Sequence, residues 1–318
     1  MREQQLELEG VRRGTEARSP MGTALRPLVA FWTFSRQKPL GGVSALIIIV
    51  MILAAALANL IAPNDPLKIF AGQSYAQPGT IPAGGSVFLL GGDETGRDLF
   101  ARVVFGARIS LLVAIPAVIF GTIIGATLGM VSGYFGGKLD LFIQRVVDGM
   151  MAFPTILLAL TIMALIGPGL QLGGAYSNVV IAIGIIMIPT MSRVTRGATL
   201  SVKENVYVEA ARSIGASNLR VISLYVFPNV IHAIIILAAT YLGAAILVEA
   251  SLSFLGMGTP PPAPSWGMMV AGPGAQSLAT HPMLLWAPAI SISLAVLAFN
   301  LLGDALRDVL DPRMRGTQ

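Results

Sequence analysis

Apolar residues in this chain fall into six long blocks, at 40–62, 109–131, 141–166, 178–194, 230–249 and 284–302, separated by polar or Gly/Pro-rich segments. A helix rises about 1.5 Å per residue, so roughly 20 apolar residues cross the ~30 Å hydrocarbon layer of a bilayer. The pattern predicts an all-α polytopic membrane protein with about six transmembrane helices. The breaks between blocks are chemically distinct: Pro63-Asn64-Asp65-Pro66 ends the first, Gly133, Gly136 and Gly137 suit a tight turn after the second, and Gly167-Pro168-Gly169 ends the third. Pro154, inside the third block, predicts a kink. The first block is long enough to span and follows a long polar segment, which disfavours a cleaved signal peptide.

Composition strengthens the membrane reading. Hydrophobic residues make up 54% of the 318 and charged residues only 12%, against about 25% charged in soluble domains. Mean hydropathy is +0.75. The 35 glycines suit close helix approach within a bilayer. There is no cysteine, which excludes disulfides, thiolate metal sites and a Cys nucleophile.

Basic residues set the orientation. With both ends in the cytoplasm, 17 of the 21 Lys and Arg fall on the cytoplasmic side, and only Lys68, Arg97, Arg102 and Arg108 fall outside. The net charge of +5 is then a basic cytoplasmic surface and not a nucleic-acid footprint. The expected organisation is a cytoplasmic tail at 1–38 with an amphipathic surface helix at 24–36 (Leu25, Leu28, Val29, Trp32), and a first span plus outer loop at 39–103. A core with five spans follows at 104–305, then a cytoplasmic tail at 306–318.

One segment is too polar for a span and too ordered in pattern for a plain loop. Between spans four and five, Asn205 can cap a helix and Gly215 can end it. Within lie Val206, Tyr207 and Ile214 as an apolar grip, small Ala210 and Ala211, and charged Glu209 and Arg212. A helix of roughly ten residues is not stable alone in water. It needs a docking site on its own protein or on a partner.

Glu209-Ala210-Ala211, three residues, Gly215, nine residues, then Tyr225-Val226-Phe227-Pro228 resembles the EAA loop of ABC importer permeases. Tyr225 and Phe227 stand where that family prefers Ile and Leu. The segment GGDETGRDL at 91–99, Tyr134-Phe135-Gly136-Gly137, Ala152-Phe153-Pro154 and Leu252-Ser253-Phe254-Leu255-Gly256 resemble the dipeptide/oligopeptide/nickel branch, C-type subunit. Pro264-Ser265-Trp266-Gly267 and Asn300-Leu301-Leu302-Gly303-Asp304 with Asp311-Pro312-Arg313 continue the series in order.

The resemblance implies a type I ABC importer permease fold, with the loop at about 199–228 coupling to an ATPase through Val206, Tyr207, Glu209, Ala210, Ala211, Arg212, Gly215 and Ala216. It also implies a paralogous permease as heterodimer partner, two ATPase subunits carrying ATP and Mg, an extracytoplasmic solute-binding protein on the outer face, and a peptide or small solute as cargo. The host membrane would be the inner membrane of a prokaryote. The substrate pathway would run between the two permeases, lined largely by spans three to six.

This chain itself offers no chemistry. It lacks Gly-x4-Gly-Lys-[Ser/Thr], so no P-loop nucleotide site is expected. No cofactor or metal is expected either: Asp93, Glu94 and Asp98 miss the EF-hand spacing, and His232 and His281 lie far apart. No catalytic triad or carboxylate pair stands out. Arg145 with Asp148, and Asp304 with Arg307, are three apart and are expected to form structural ion pairs at the inner ends of spans three and six. Glu249, at the outer end of span five, reads either as an outer gate or partner contact or as an exposed interfacial carboxylate. Trp266 and Trp286 read as interfacial anchors, and Trp266, like Glu249, also as an outer gate or partner contact. A secondary transporter, a channel or a non-transporting scaffold for an ATPase are the alternative functions. The first two leave the 206–215 helix without a role.

Overall fold

The computed structural model describes residues 35–36, 38–167, 169–172, 175–271 and 279–310. The expected surface helix at 24–36 therefore lies almost wholly outside the described residues. Helix α1 (Pro39–Ala56) and the short α2 (Ala58–Ile61) lead into an outer loop. Next come α3 (Leu99–Phe135), α4 (Gly137–Met151) and α5 (Thr155–Ile166). A two-residue antiparallel hairpin, β1 (Gln171–Leu172) with β2 (Ala175–Tyr176), precedes α6 (Ser177–Lys203). The cytoplasmic segment forms α7 (Val206–Ser213) and α8 (Asn218–Val221), then a π-helical turn at Ile222–Val226 that runs into α9 (Phe227–Phe254). Short α10 (Trp266–Met269) and long α11 (Met283–Leu310) complete the order.

Among the described residues, five unbroken segments are long and apolar enough to cross a membrane, and there are six if α4 and α5, which meet at a 100° bend, count as one broken span. The kink expected at Pro154 is thus a full break between two helices. The chain stops helical pairing at Ala152–Phe153, and Pro154, which cannot donate a backbone hydrogen bond, opens α5. The 12 residues of α5 reach only about 18 Å, so that helix does not cross alone.

The core of the bundle is the contact between α3 and α6, the most extensive helix pair. It is possible because α3 places glycine at every fourth position from Gly121 to Gly133, a single face of the helix. A Cβ at Gly121 would sit 2.6 Å from the Gly184 carbonyl, and one at Gly133 would sit 2.9 Å from Thr199 Cβ. Lipid tails are as apolar as leucine, so such close van der Waals contact is what binds helices in a bilayer. Gly133 therefore serves this contact and not the tight turn. Gly136 makes the turn, with φ +67°.

At the outer end, the 91–99 segment folds around buried Asp93. Its carboxylate accepts from Thr95 N and Oγ1, Arg97 N and Arg97 Nε, at 2.6–2.9 Å. Asp98 caps α3 by accepting from Phe100 N at 2.9 Å, and its second oxygen accepts from Asn64 Nδ2 at 2.8 Å. These acids are occupied as turn and cap, and no cluster of His, Cys, Asp and Glu suited to a metal occurs among the described residues.

Candidate functional site

The helix read from residues 206–215 is present as α7, and Gly215 ends it with φ +83°. Its C-terminal carbonyls are satisfied by Gly215 N to Arg212 O at 2.9 Å and Ala216 N to Ala211 O at 3.1 Å, the Schellman arrangement. Asn205 stands at the N-cap position, yet its side chain serves the previous helix instead, donating to Val202 O at 3.0 Å.

Two faces of α7 have separate roles. Val208 and Ala211, three apart, are buried against Tyr134, Val221, Val226 and Val230. The opposite face is left open: Val206 is 80% exposed and Ile214 83%, with Tyr207, Glu209, Ala210 and Gly215 also exposed. Leu219 on α8, 77% exposed, extends this apolar surface. Four large apolar side chains beside one carboxylate, on the end of the molecule that the charge bias assigns to the cytoplasm, form a patch facing away from its own bundle.

This division corrects one assignment. Ala211 was expected beside a partner, but it packs inward. Arg212, expected to offer charge, is exposed, and its guanidinium lies 4.7 Å above the Tyr134 ring. Ala216 is half-buried beside the same inner cluster. Tyr134, Val208 and Leu219 belong to the site; Tyr134 stood in the sequence only as part of a family motif, and Val208 and Leu219 were not singled out. For Val208 the signal was available, since it is three residues before Ala211.

The ion pairs differ from those expected. Asp148 pairs with Arg193 of α6 at 2.5 Å and not with Arg145. Asp140, not among the expected residues, forms a two-pronged pair with Arg196, 2.6 Å for both bonds, and also takes the Ser132 hydroxyl. Both acids of α4 thus reach across to α6. An Arg three residues before an Asp is a poor pairing on one helix, and two arginines on the neighbouring helix compete successfully. Asp304 and Arg307 form no ion pair among the described residues. Asp308 instead pairs with Lys38 at 2.7 Å, joining the inner ends of α11 and α1.

At the outer end Glu249 is fully buried, which excludes the exposed-carboxylate reading. One oxygen accepts from Ser253 Oγ at 2.8 Å, and Thr259 and Ser265 of the following segment also face the carboxyl group. Trp266 is buried as well, a correction to the interfacial-anchor reading. Its indole donates to the Val103 carbonyl at 2.9 Å and lies over Gly106. Nearby, an outer cavity of about 800 Å³ is lined by Asn64, Asp65, Phe105, Arg108, Tyr176 and Pro260 among others.

A bundle of long apolar helices, with an exposed apolar helix face at one end and an open outer cavity at the other, defines a class, a multi-span membrane protein. Comparison with known proteins gives the family. Residues 125–316 match the family described as binding-protein-dependent transport system inner membrane component, and the chain belongs to it. It is 37% identical over 289 residues to the glutathione transport system permease protein GsiD of Pectobacterium atrosepticum, covering 91% of this chain and 92% of that one. It is 40% identical over 291 residues to GsiD of Escherichia coli, with the same coverage. The inward-facing MetNI methionine ABC transporter has a chain of the same fold, with TM-score 0.53 at 19% identity, covering 67% of this chain and 98% of that one. The protein is a permease subunit of an ABC importer, and its relatives are transport subunits and not enzymes. A permease of this kind works with ATPase subunits, a paired permease and a binding protein.

Proposed function

We propose that this chain forms one half of a heterodimeric pathway importing short peptides of the glutathione type across the cytoplasmic membrane of a prokaryote. The second half would be a paralogous permease, and a solute-binding protein would deliver cargo to the outer face around the cavity at Asp65 and Arg108. ATP and Mg would sit on two partner ATPase subunits. The substrate class rests on the GsiD relatives, each matched over nine-tenths of both chains.

The observation that carries the coupling assignment is the two-faced helix α7. Val208 and Ala211 fasten it to the bundle, while Val206, Tyr207, Glu209, Ala210 and Ile214 are exposed among the described residues. An ATPase groove fits this face, and rigid displacement of α7 on ATP binding would reorient the helices behind it. Replacing Ala210 with Arg puts a long charged side chain in the centre of the outward face without touching the inner one. In vesicles holding all subunits, Ala210→Arg is expected to abolish ATP-driven glutathione uptake and to release the ATPase on purification. Uptake and recruitment at the parent level would reject the docking assignment.

A further inference from the structure

The joint that carries force from α7 into the membrane has a visible centre. Tyr134 lies at the inner end of α3, 4% exposed. Arg212 of α7 covers its ring at 4.7 Å, and its hydroxyl donates to Asn218 Oδ1 of α8 at 3.0 Å. Its backbone is held too, since Lys203 at the end of α6 donates to the carbonyls of Gly133 and Tyr134 at 3.3 Å. One side chain thus touches the elements on both sides of Gly215, the turn where the cytoplasmic segment reverses.

The whole of α3 is 37 residues, about 55 Å, well past the ~30 Å hydrocarbon thickness. Along α6 it is locked by its glycine face, so neither helix slides without the other. Its outer end holds Trp266 through the Val103 carbonyl, and Trp266 begins the short helix that follows the Thr259-to-Ser265 stretch against Glu249. Chemically, the Arg–Tyr contact suits a joint: a guanidinium over an aromatic face is attracted from a range of angles, so α7 can tilt without losing it.

We propose that Tyr134 is the positioning residue through which displacement of α7 enters α3 and reaches the outer segment at 255–267. The proposal rests on the ATPase-coupling reading above. It requires no further ligand, and it separates two tasks within one loop: the outward face of α7 recruits the ATPase, and Arg212 with Tyr134 transmits.

The absence of native cysteine makes the test direct. Met257→Cys, on the outer segment and 38% exposed, provides a reporter for a membrane-impermeant maleimide. The assembled complex is labelled with and without ATP and vanadate, while ATP hydrolysis is followed separately. In the parent, trapping is expected to change the labelling rate about tenfold, the range of ordinary coupling between sites. Tyr134→Leu is expected to remove that change while the complex still hydrolyses ATP, and Tyr134→Phe, which keeps the ring under Arg212, to restore most of it. Should Tyr134→Leu fail to assemble, Arg212→Leu removes the same contact from an exposed position and is expected to give the same loss. A trapping-dependent change that survives in Tyr134→Leu, or in Arg212→Leu where that variant is needed, overturns the joint. No change in the parent itself would reject the coupling reading, and the joint with it.

Discussion

At the scale of single residues, the informative contrast is between neighbours on α7. Val208 is fully buried and Ile214 is 83% exposed, yet both are branched apolar residues in one short segment. Val208→Asp would bury a carboxylate in an apolar cluster, a cost of about 3 kcal/mol. It is expected to lower the thermal midpoint of the purified protein in detergent. Ile214→Asp replaces a side chain that is exposed among the described residues, and should leave that midpoint unchanged while weakening ATPase recruitment. The sequence made the helix and its limits legible, because Gly215 and the polar flanks are local signals. Its facing was only partly legible. Eight residues give barely two turns, and Ala211 looks as suitable for a partner as for a core until Tyr134 is placed beside it. The exposed readings of Glu249 and Trp266 failed for a related reason: one sits at the outer end of a predicted span and the other in an outer segment, where exposure is the ordinary expectation, and both are buried by contacts from residues distant in sequence or in the following segment.

At the scale of elements, the spans were legible because their signal is additive over twenty residues. The break between α4 and α5 was visible as Pro154, but a proline does not state its angle, and the 100° bend follows from how α4 is drawn onto α6. That attraction comes from two ion pairs between residues 45 and 56 positions apart, which no i, i+3 rule can find. The pairs should differ in strength. Asp140 and Arg196 are partly buried with two parallel bonds, whereas Asp148 and Arg193 are each 51% exposed at the side chain. A double-mutant cycle with Asp140→Asn and Arg196→Gln is expected to return a coupling of about 1–2 kcal/mol. The cycle at Asp148 and Arg193 should return under about 1 kcal/mol and shrink further with added salt. The α3–α6 contact makes a sharper demand. Gly125→Leu would drive a side chain into Met191 and Ile188, costing about 1–3 kcal/mol through overpacking, and should reduce both yield and thermal stability.

At the scale of the whole molecule, the chain is a permease subunit of an importer whose ATP hydrolysis belongs to partner subunits. Apolar helices form part of a passage, an outer loop is fastened by buried polar contacts, and a short helix on the inner side presents an unpartnered apolar face. The bias of basic residues places that helix in the cytoplasm, where ATP is available to a partner. The direct measurement of this account is cross-linking from single cysteines in a chain that has none of its own. In the complex with its ATPase, a cysteine at Ile214 or Ala210 should cross-link to the ATPase through a short bifunctional reagent, and one at Val208 should not. Cross-linking from Val208 with none from Ile214 or Ala210 would contradict the assignment of the two faces, and no cross-link from any of the three would contradict ATPase docking on this helix.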